Sequence, residues 1–172
     1  MQVTVFPVVR EPLAEELEEV FREHYALVYR TAYSVTGGPQ DAEDIVQSLF
    51  LQLLRLGFPQ GLRTNPKAYL YRATVNLSLN AVKSRRRQVL IADVDRLEAP
   101  VEPTEPDPDL KLRLVDAMAQ LHPRAVEILI LHYEHDYSDA QIGKLLGTSR
   151  GVIAVTLYRA RARLKKLLGE KP

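Results

Sequence analysis

Residues 137–164 read YSDAQIGKLLGTSRGVIAVTLYRARARL and predict two short helices joined by a tight turn. The turn is centred on Gly147, because glycine adopts the left-handed conformation that ends a helix at little cost. Ser149 follows, and its hydroxyl can accept a hydrogen bond from a free N–H group of the next helix. That helix repeats apolar residues at spacings of four, three and four, from Ile153 to Leu164. The pattern is typical of a helix-turn-helix.

The second of these two helices is strongly basic. Residues 150–166 contain six lysine or arginine side chains and no acidic one. A basic helix after a glycine turn can enter the major groove of DNA, where its cations meet phosphate. An ordinary helical hairpin with a solvated basic face has the same pattern, so both interpretations stay open at this point.

Composition excludes several classes of protein. The chain has 172 residues, which fits one domain or two small ones, and 46% hydrophobic residues, which allows a buried core. It contains no cysteine, which excludes disulfides, thiolate metal sites and cysteine nucleophiles. No apolar run is long enough to cross a membrane, and the first ten residues lack the pattern of a signal peptide. We therefore expect a cytoplasmic protein without membrane insertion.

The net charge of +1 hides three segments of different charge. With Lys and Arg counted as +1 and Asp and Glu as −1, residues 1–87 carry +2, residues 88–110 carry −6 and residues 111–172 carry +5. The middle segment contains four prolines and loses helical periodicity, so we predict a flexible acidic linker. The flanking segments predict two small helical domains, and the fold class is therefore all-α.

Three helices are predicted in the first segment. The first begins near Pro12 and ends before the glycine pair at Gly37. The second begins near Pro39, and its apolar side chains occupy more than one face, as in a helix that also contacts a partner. A well-buried helix has the same distribution. A loop over residues 57–64 then leads to Asn65, which is expected to cap the third helix.

The third helix combines aromatic and basic side chains and ends in an arginine run at residues 85–87. Aromatic rings beside cations can stack on unpaired bases while the cations hold phosphate. Core tyrosines and a solvated basic helix end have the same composition, and the residues alone favour neither interpretation.

A metal site is the main enzymatic alternative. His132 and His135 are three residues apart, a spacing at which two imidazoles on a helix can share an ion. Such a site needs further inward-facing ligands, and no helix supplies a Glu-x-x-His motif. The sequence also lacks a nucleophile elbow and a phosphate-binding glycine loop. We therefore predict no catalytic residue, no metal and no cofactor.

Taken in order, these segments resemble a sigma factor of the extracytoplasmic-function group, a two-domain bacterial initiation factor. Residues 41–51 are similar to the polymerase-binding helix of that family, and residues 65–77 to the segment that melts and reads the minus-ten element. Residues 121–124 and 137–164 are similar to the domain that reads the minus-thirty-five element. The resemblance implies binding to core RNA polymerase and to promoter DNA, both duplex and melted. An anti-sigma factor is a further candidate partner.

The resemblance assigns domains and three groups of site residues. It implies a region 2-like domain at residues 1–87, a linker at 88–110 and a region 4-like domain at 111–172. The polymerase-binding group is Asp41, Glu43, Asp44, Gln47, Phe50 and Leu51. The minus-ten group is Arg63, Asn65, Lys67, Tyr69, Arg72, Asn76, Lys83, Arg85, Arg86 and Arg87. The minus-thirty-five group is Ser149, Arg150, Ala154, Val155, Tyr158, Arg159, Arg161 and Arg163. A stand-alone helix-turn-helix regulator is the alternative, but it leaves the first domain without a role.

Two members of the minus-thirty-five group are small and apolar. Ala154 and Val155 fall on the face opposite the apolar row of the second helix of the motif. An apolar side chain in the major groove has one natural partner, the methyl group of thymine. We therefore expect thymine methyls to be part of the element that is read. A contact with another protein or with a domain interface is the alternative for these two residues.

Overall fold

The computed structural model describes residues 11–92 and 108–169, and regular structure in these ranges consists of eight α-helices without a strand. The helices in chain order are α1 (Glu11–Thr36), α2 (Pro39–Leu56), α3 (Gln60–Thr64), α4 (Pro66–Ala92), α5 (Pro108–Met118), α6 (Pro123–Tyr133), α7 (Asp139–Leu146) and α8 (Arg150–Leu168). The all-α prediction is confirmed. We call α1 to α4 the first lobe and α5 to α8 the second lobe.

Glycine and proline separate α1 from α2, as the sequence indicates. Gly37 has a φ of +79°, a left-handed conformation that ends α1, and Pro39 occupies the first turn of α2. The two helices pack along their length, and a Cβ at Gly37 would lie 3.0 Å from the Val115 side chain of α5. The glycine turn therefore also brings the second lobe close to the end of α1.

The segments on either side of α4 differ from the prediction. Gln60–Thr64 form a short helix, α3, within the stretch that was expected to be a loop. The α4 helix continues past Arg87 to Ala92, because residues 88–92 contain neither glycine nor proline to end it. The predicted linker is therefore helical at its start, and α5 begins at Pro108 before the linker was expected to end. Residues 93–107 lie outside the described residues, and the domain boundaries stay a prediction.

The helix-turn-helix is confirmed in detail. Ser138 forms a capping box at the start of α7, and Gly147 ends that helix with a φ of +68°. The Ser149 hydroxyl accepts a hydrogen bond from the backbone N–H of Val152 at 3.3 Å, so it caps α8 as predicted. Gly143 lies where the two helices meet, since a Cβ there would lie 2.8 Å from the Thr148 carbonyl oxygen.

The two lobes share a hydrophobic core. Val35, Tyr71 and Leu79 of the first lobe belong to the same buried cluster as Leu129 and Ile153 of the second. The first lobe has a further cluster of its own between α1, α2, α3 and α4, with buried members Val28, Val46, Leu49, Phe50, Leu53, Leu62 and Leu70. Tyr133 is 57% exposed although it continues the spacing of the buried Val126, Leu129 and Ile130, because it occupies the last turn of α6. The described lobes therefore form one packed body.

Candidate functional site

The outer face of α2 is acidic and partly apolar. Glu43, Asp44 and Gln47 are exposed, and Leu51 beside them is 51% exposed. Phe50 does not belong to this surface, because it is 6% exposed. Its ring packs edge-on against the Phe21 ring of α1, with 4.6 Å between the ring centroids. The resemblance placed Phe50 in the polymerase-binding group together with Leu51, but the two side chains point in directions about 100° apart, and only Leu51 lies on the exposed face. Glu43, Asp44, Gln47 and Leu51 form a continuous exposed face on α2.

Asp41 lies at the edge of this face and is already paired. Its carboxylate forms an ion pair with the guanidinium of Arg85 on α4. One residue of the polymerase-binding group thus contacts one residue of the minus-ten group within the first lobe. Because both side chains are partly exposed, the pair contributes little stability, and a partner can replace it at small cost.

One face of α4 is polar and open to solvent. Lys67, Arg72 and Asn76 are exposed, and Tyr69 between them is half-buried. The Tyr69 ring packs over α3, where a Cβ at Gly61 would lie 3.2 Å from its Cδ2 atom. Further along the helix, an open cleft of about 580 Å³ is lined by four polar side chains, which are Asn80, Lys83, Arg86 and Arg87. The helix therefore presents a ring and then a row of cations along one side.

Two further members of the minus-ten group have partners within the protein. Arg63 Nη1 lies 2.6 Å from Oε1 of Glu16 on α1. The Asn65 side chain caps α4 by accepting from the Ala68 N–H at 3.1 Å, and its amide donates to the Leu145 carbonyl oxygen of α7 at 3.0 Å. The capping role was predicted, whereas the contact with the second lobe was not.

The outer face of α8 carries most of the minus-thirty-five group. Buried Ile153, Leu157 and Ala160 face the core, as the apolar row predicts. The opposite side is exposed, with Val155 48% and Tyr158 73% accessible. Exposed on the same helix are Ser149, Arg150, Ala154, Arg159 and Arg163.

Arg161 departs from this arrangement. Its Nε donates to the Leu157 carbonyl oxygen at 3.3 Å, and its side chain lines an apolar groove between α1, α5, α6 and α8. It is exposed, but it follows the buried Ala160 directly, and successive residues on a helix point only about 100° apart, so it lies beside the core face of α8. We therefore place it at the edge of the recognition face rather than on it.

The two histidines of the metal alternative face different partners. His132 Nδ1 lies 3.5 Å from a carboxylate oxygen of Asp139, whereas His135 Nε2 lies 3.0 Å from the Thr31 hydroxyl of α1. Within residues 11–92 and 108–169, no cluster of three or more His, Asp or Glu side chains has the geometry of a metal site. The arrangement gives the metalloenzyme interpretation no support.

Sequence reasoning missed a buried ion pair in α6. Glu127 is 2% exposed, and its carboxylate accepts a hydrogen bond from Arg124 at 2.9 Å. Burial raises the pKa of Glu127, and the nearby Arg124 and Arg72 guanidinium groups oppose that shift. A cleft of about 270 Å³ beside Glu127 lies between the lobes. Arg72 and Asn76 of the first lobe line one wall, and His122 and Arg124 of the second lobe line the other. The sequence did contain a signal of this pair, because Glu127 is the one charged residue in the apolar run of residues 125–131.

Comparison with known proteins shows which family the chain belongs to. The family model for Sigma-70 region 2 matches residues 20–88, and the model for Sigma-70 region 4 matches residues 111–164. An RNA polymerase sigma-E factor from Streptomyces antibioticus is 30% identical over 155 residues, covering 89% of this chain and 84% of that protein. The chain belongs to the extracytoplasmic-function group of sigma-70 factors. The resemblance in the sequence is thereby confirmed, and the protein is a transcription initiation factor rather than an enzyme.

Two further proteins resemble this sigma factor over nearly its whole length. RNA polymerase sigma factor CarQ from Myxococcus xanthus is 28% identical, with 94% of each chain covered. A solved structure, the sigma factor RpoE with the anti-sigma factor NepR from Bartonella quintana, is 24% identical with a TM-score of 0.50. It covers 95% of this chain and 100% of that one, and at this identity it supports the fold alone. In the described residues, no helix is long and apolar enough to span a membrane.

Proposed function

We propose that this sigma factor binds core RNA polymerase through the outer face of α2 and reads promoter DNA through α4 and α8. The separation of charge over the surface carries the proposal. The exposed side of α2 presents Glu43 and Asp44, whereas the exposed side chains of α4 and α8 include Arg72, Arg86 and Arg87, and Arg150, Arg159 and Arg163. Polymerase and DNA would then bind different faces, and the protein would act where the bacterial polymerase works, in the cytoplasm.

The two DNA surfaces suit different forms of promoter DNA. Tyr69, Arg72 and Asn76 place a ring beside polar groups, the combination that holds unpaired bases. The α8 helix begins at a capped turn and projects from the second lobe, as a helix must to enter a major groove. We assign melted minus-ten DNA to α4 and the duplex minus-thirty-five element to α8. Residues 1–87 and 111–172 would then be the region 2-like and region 4-like domains.

In vitro transcription with purified core polymerase tests the whole proposal. A promoter library with randomised minus-ten and minus-thirty-five positions would yield a consensus only if the protein directs initiation at sequence-specific sites. Transcripts without any enriched sequence would contradict the proposal. Sequence enrichment by the isolated protein without polymerase would instead favour a stand-alone regulator.

Tyr69→Ala should slow promoter opening by about tenfold or more. Stacking of a base on an aromatic ring contributes about 1–3 kcal/mol, and alanine removes the ring. Permanganate reactivity of unpaired thymines measures the opening, and Tyr69→Phe is the matched control because it keeps the ring. Because Tyr69 also packs against α3, thermal unfolding of both variants must be compared first. Normal opening by a stably folded Tyr69→Ala protein would remove the ring from the minus-ten surface.

Replacing thymine by uracil in the minus-thirty-five element should weaken binding by about 1 kcal/mol for each methyl contact. The exposure of Val155 makes such contacts possible. Val155→Ala should make the holoenzyme indifferent to the replacement, and uracil placed outside the element is the control. Equal activity on both templates with the unmodified protein would assign Ala154 and Val155 to a protein contact.

A further inference from the structure

The contact between the lobes has a polar centre in addition to its apolar core. The segment between α6 and α7 reaches the first lobe through three successive contacts. Arg30 Nη2 of α1 donates to the Glu134 carbonyl oxygen at 2.6 Å, and Thr31 Oγ1 lies 3.0 Å from His135 Nε2. The His135 ring also meets the buried Tyr71 ring of α4 edge-on, with 5.0 Å between centroids. One imidazole therefore contacts both α1 and α4.

The backbone of this segment is held in an unusual conformation that orients the ring. Asp136 has a φ of +55°, and it is the only non-glycine residue with positive φ in the described ranges. Aspartate tolerates this left-handed conformation better than most residues. The N–H groups of His135 and Tyr137 donate back to the Ile130 and Leu131 carbonyl oxygens of α6 at 3.2 and 3.0 Å. His135 is therefore positioned by the second lobe and makes its side-chain contacts with the first.

We propose that His135 is a pH-sensitive contact between the lobes: its neutral ring favours the closed arrangement, with the second lobe against α1 and α4, and protonation of the ring shifts the equilibrium toward an open arrangement. This contact belongs to the isolated protein, so the proposal does not depend on the proposed function. In the open arrangement, the buried α4 residues Tyr71, Val75 and Leu79 would be uncovered, and the Asn65 amide would lose its hydrogen bond to the Leu145 carbonyl oxygen. The cleft that α4 shares with His122 and Arg124 would open at the same time.

The charges around the ring favour its neutral form. Burial lowers the pKa of His135 below its ordinary value, and the positive charge of Arg30 lowers it further. Glu134 and Asp136 act in the opposite direction but do not reverse the shift. Thr31 and Tyr71, the other contacts of the ring, are uncharged, and burial raises the pKa of Tyr71 so that it stays protonated at neutral pH.

The direction of the pH dependence follows from this shift. The open state binds a proton near the ordinary histidine pKa of about 6.5, whereas the closed state binds it only at lower pH. Well above pH 6.5 the ring is neutral in both states, so protonation does not oppose closure. As the pH falls below that value, the ratio of closed to open molecules falls by up to about tenfold per pH unit. Below the lowered pKa of His135 in the closed state, the ring is protonated in both states and the ratio of closed to open molecules no longer changes.

Thiol labelling can measure even rare opening, because the chain contains no cysteine of its own. Val75→Cys places a thiol in the shared core, where Val75 is 1% exposed, and its labelling rate reports separation of the lobes. Val46→Cys is the matched control, since Val46 is 2% exposed but belongs to the first lobe's own core. Each is made with His135 and with His135→Gln, whose neutral amide can still bond to Thr31.

The ratio of labelling rates, His135 over His135→Gln at the same pH, cancels the reactivity of the thiol itself. For Val75→Cys this ratio should be constant above pH 7 and rise as the pH falls from 6.5 to 5, by up to about tenfold per unit. For Val46→Cys it should stay constant. A pH-independent ratio at Val75→Cys would overturn the proposal. An equal rise at both positions would also overturn it, since it would indicate unfolding of the first lobe rather than separation. Neither DNA nor polymerase is needed, so failure here would leave the proposed function untouched.

Discussion

Replacement of Gly143 by alanine should destabilise the second lobe by about 1–3 kcal/mol, the usual cost of an added methyl group in a packed site. The new Cβ would lie 2.8 Å from the Thr148 carbonyl oxygen and 3.3 Å from the Arg150 backbone nitrogen. Both atoms belong to the turn itself, so neither can move without changing how α8 leaves α7. The Thr148 N–H also donates to the Gly143 carbonyl oxygen at 2.8 Å, and that bond would be strained by the same movement.

Gly151→Ala is the matched control for this change. Gly151 is exposed in the first turn of α8, and the nearest atom to an added Cβ is Ser149 Oγ at 3.9 Å. Alanine is a better helix former than glycine by about 1 kcal/mol, so this variant should be as stable as the parent or slightly more so. Denaturant unfolding followed by circular dichroism measures both. Equal stability of the Gly143→Ala protein would show that α7 and α8 do not meet as closely as described.

The charge reversal Asp44→Arg should weaken binding to core polymerase by on the order of 100-fold. The Asp44 side chain is exposed, and its carboxylate forms no hydrogen bond or ion pair within the described residues. The change should therefore leave the fold intact. At an interface, a like-charge contact costs several kcal/mol, and each 1.4 kcal/mol is a factor of ten in affinity.

Asp109→Arg is the control, since Asp109 is also exposed but lies on α5 in the second lobe. It should retain most of the affinity for core polymerase. Fluorescence anisotropy of labelled protein titrated with core enzyme, at two salt concentrations, distinguishes the two variants. If Asp44→Arg bound as tightly as Asp109→Arg, the α2 face would not be the polymerase contact.

Local signals predicted the helix-turn-helix well. Ser138, Gly147 and Ser149 act through hydrogen bonds and backbone angles that involve only residues a few positions away. The apolar row from Ile153 to Ala160 is likewise a property of one helix. Such features follow from the sequence because nothing distant is needed to form them.

Features that depend on distant residues were missed or misassigned. Phe50 and Leu51 are both apolar neighbours on α2, and only the position of α1 decides that Phe50 is buried. Sequence reasoning considered His135 as a metal ligand and rejected that role, and it gave no sign of the contact with Thr31 of α1, 104 residues away. The pairing of Asp41 with Arg85 depends in the same way on how α2 crosses α4. The three groups of site residues therefore remain proposals about surfaces whose shape is now known.

The core shared between the lobes has a consequence for synthesis of the protein on the ribosome. Tyr71, Val75 and Leu79 are covered by the second lobe, and Leu131 near the end of α6 lies in the same cluster. Chains grow at about 5–20 residues per second, so the stretch from Leu79 to Leu131 takes roughly 3–10 seconds to make. During that time the new first lobe carries an uncovered apolar row. Until α6 emerges and covers these residues, either chaperones bind them or synthesis must be fast enough to limit aggregation.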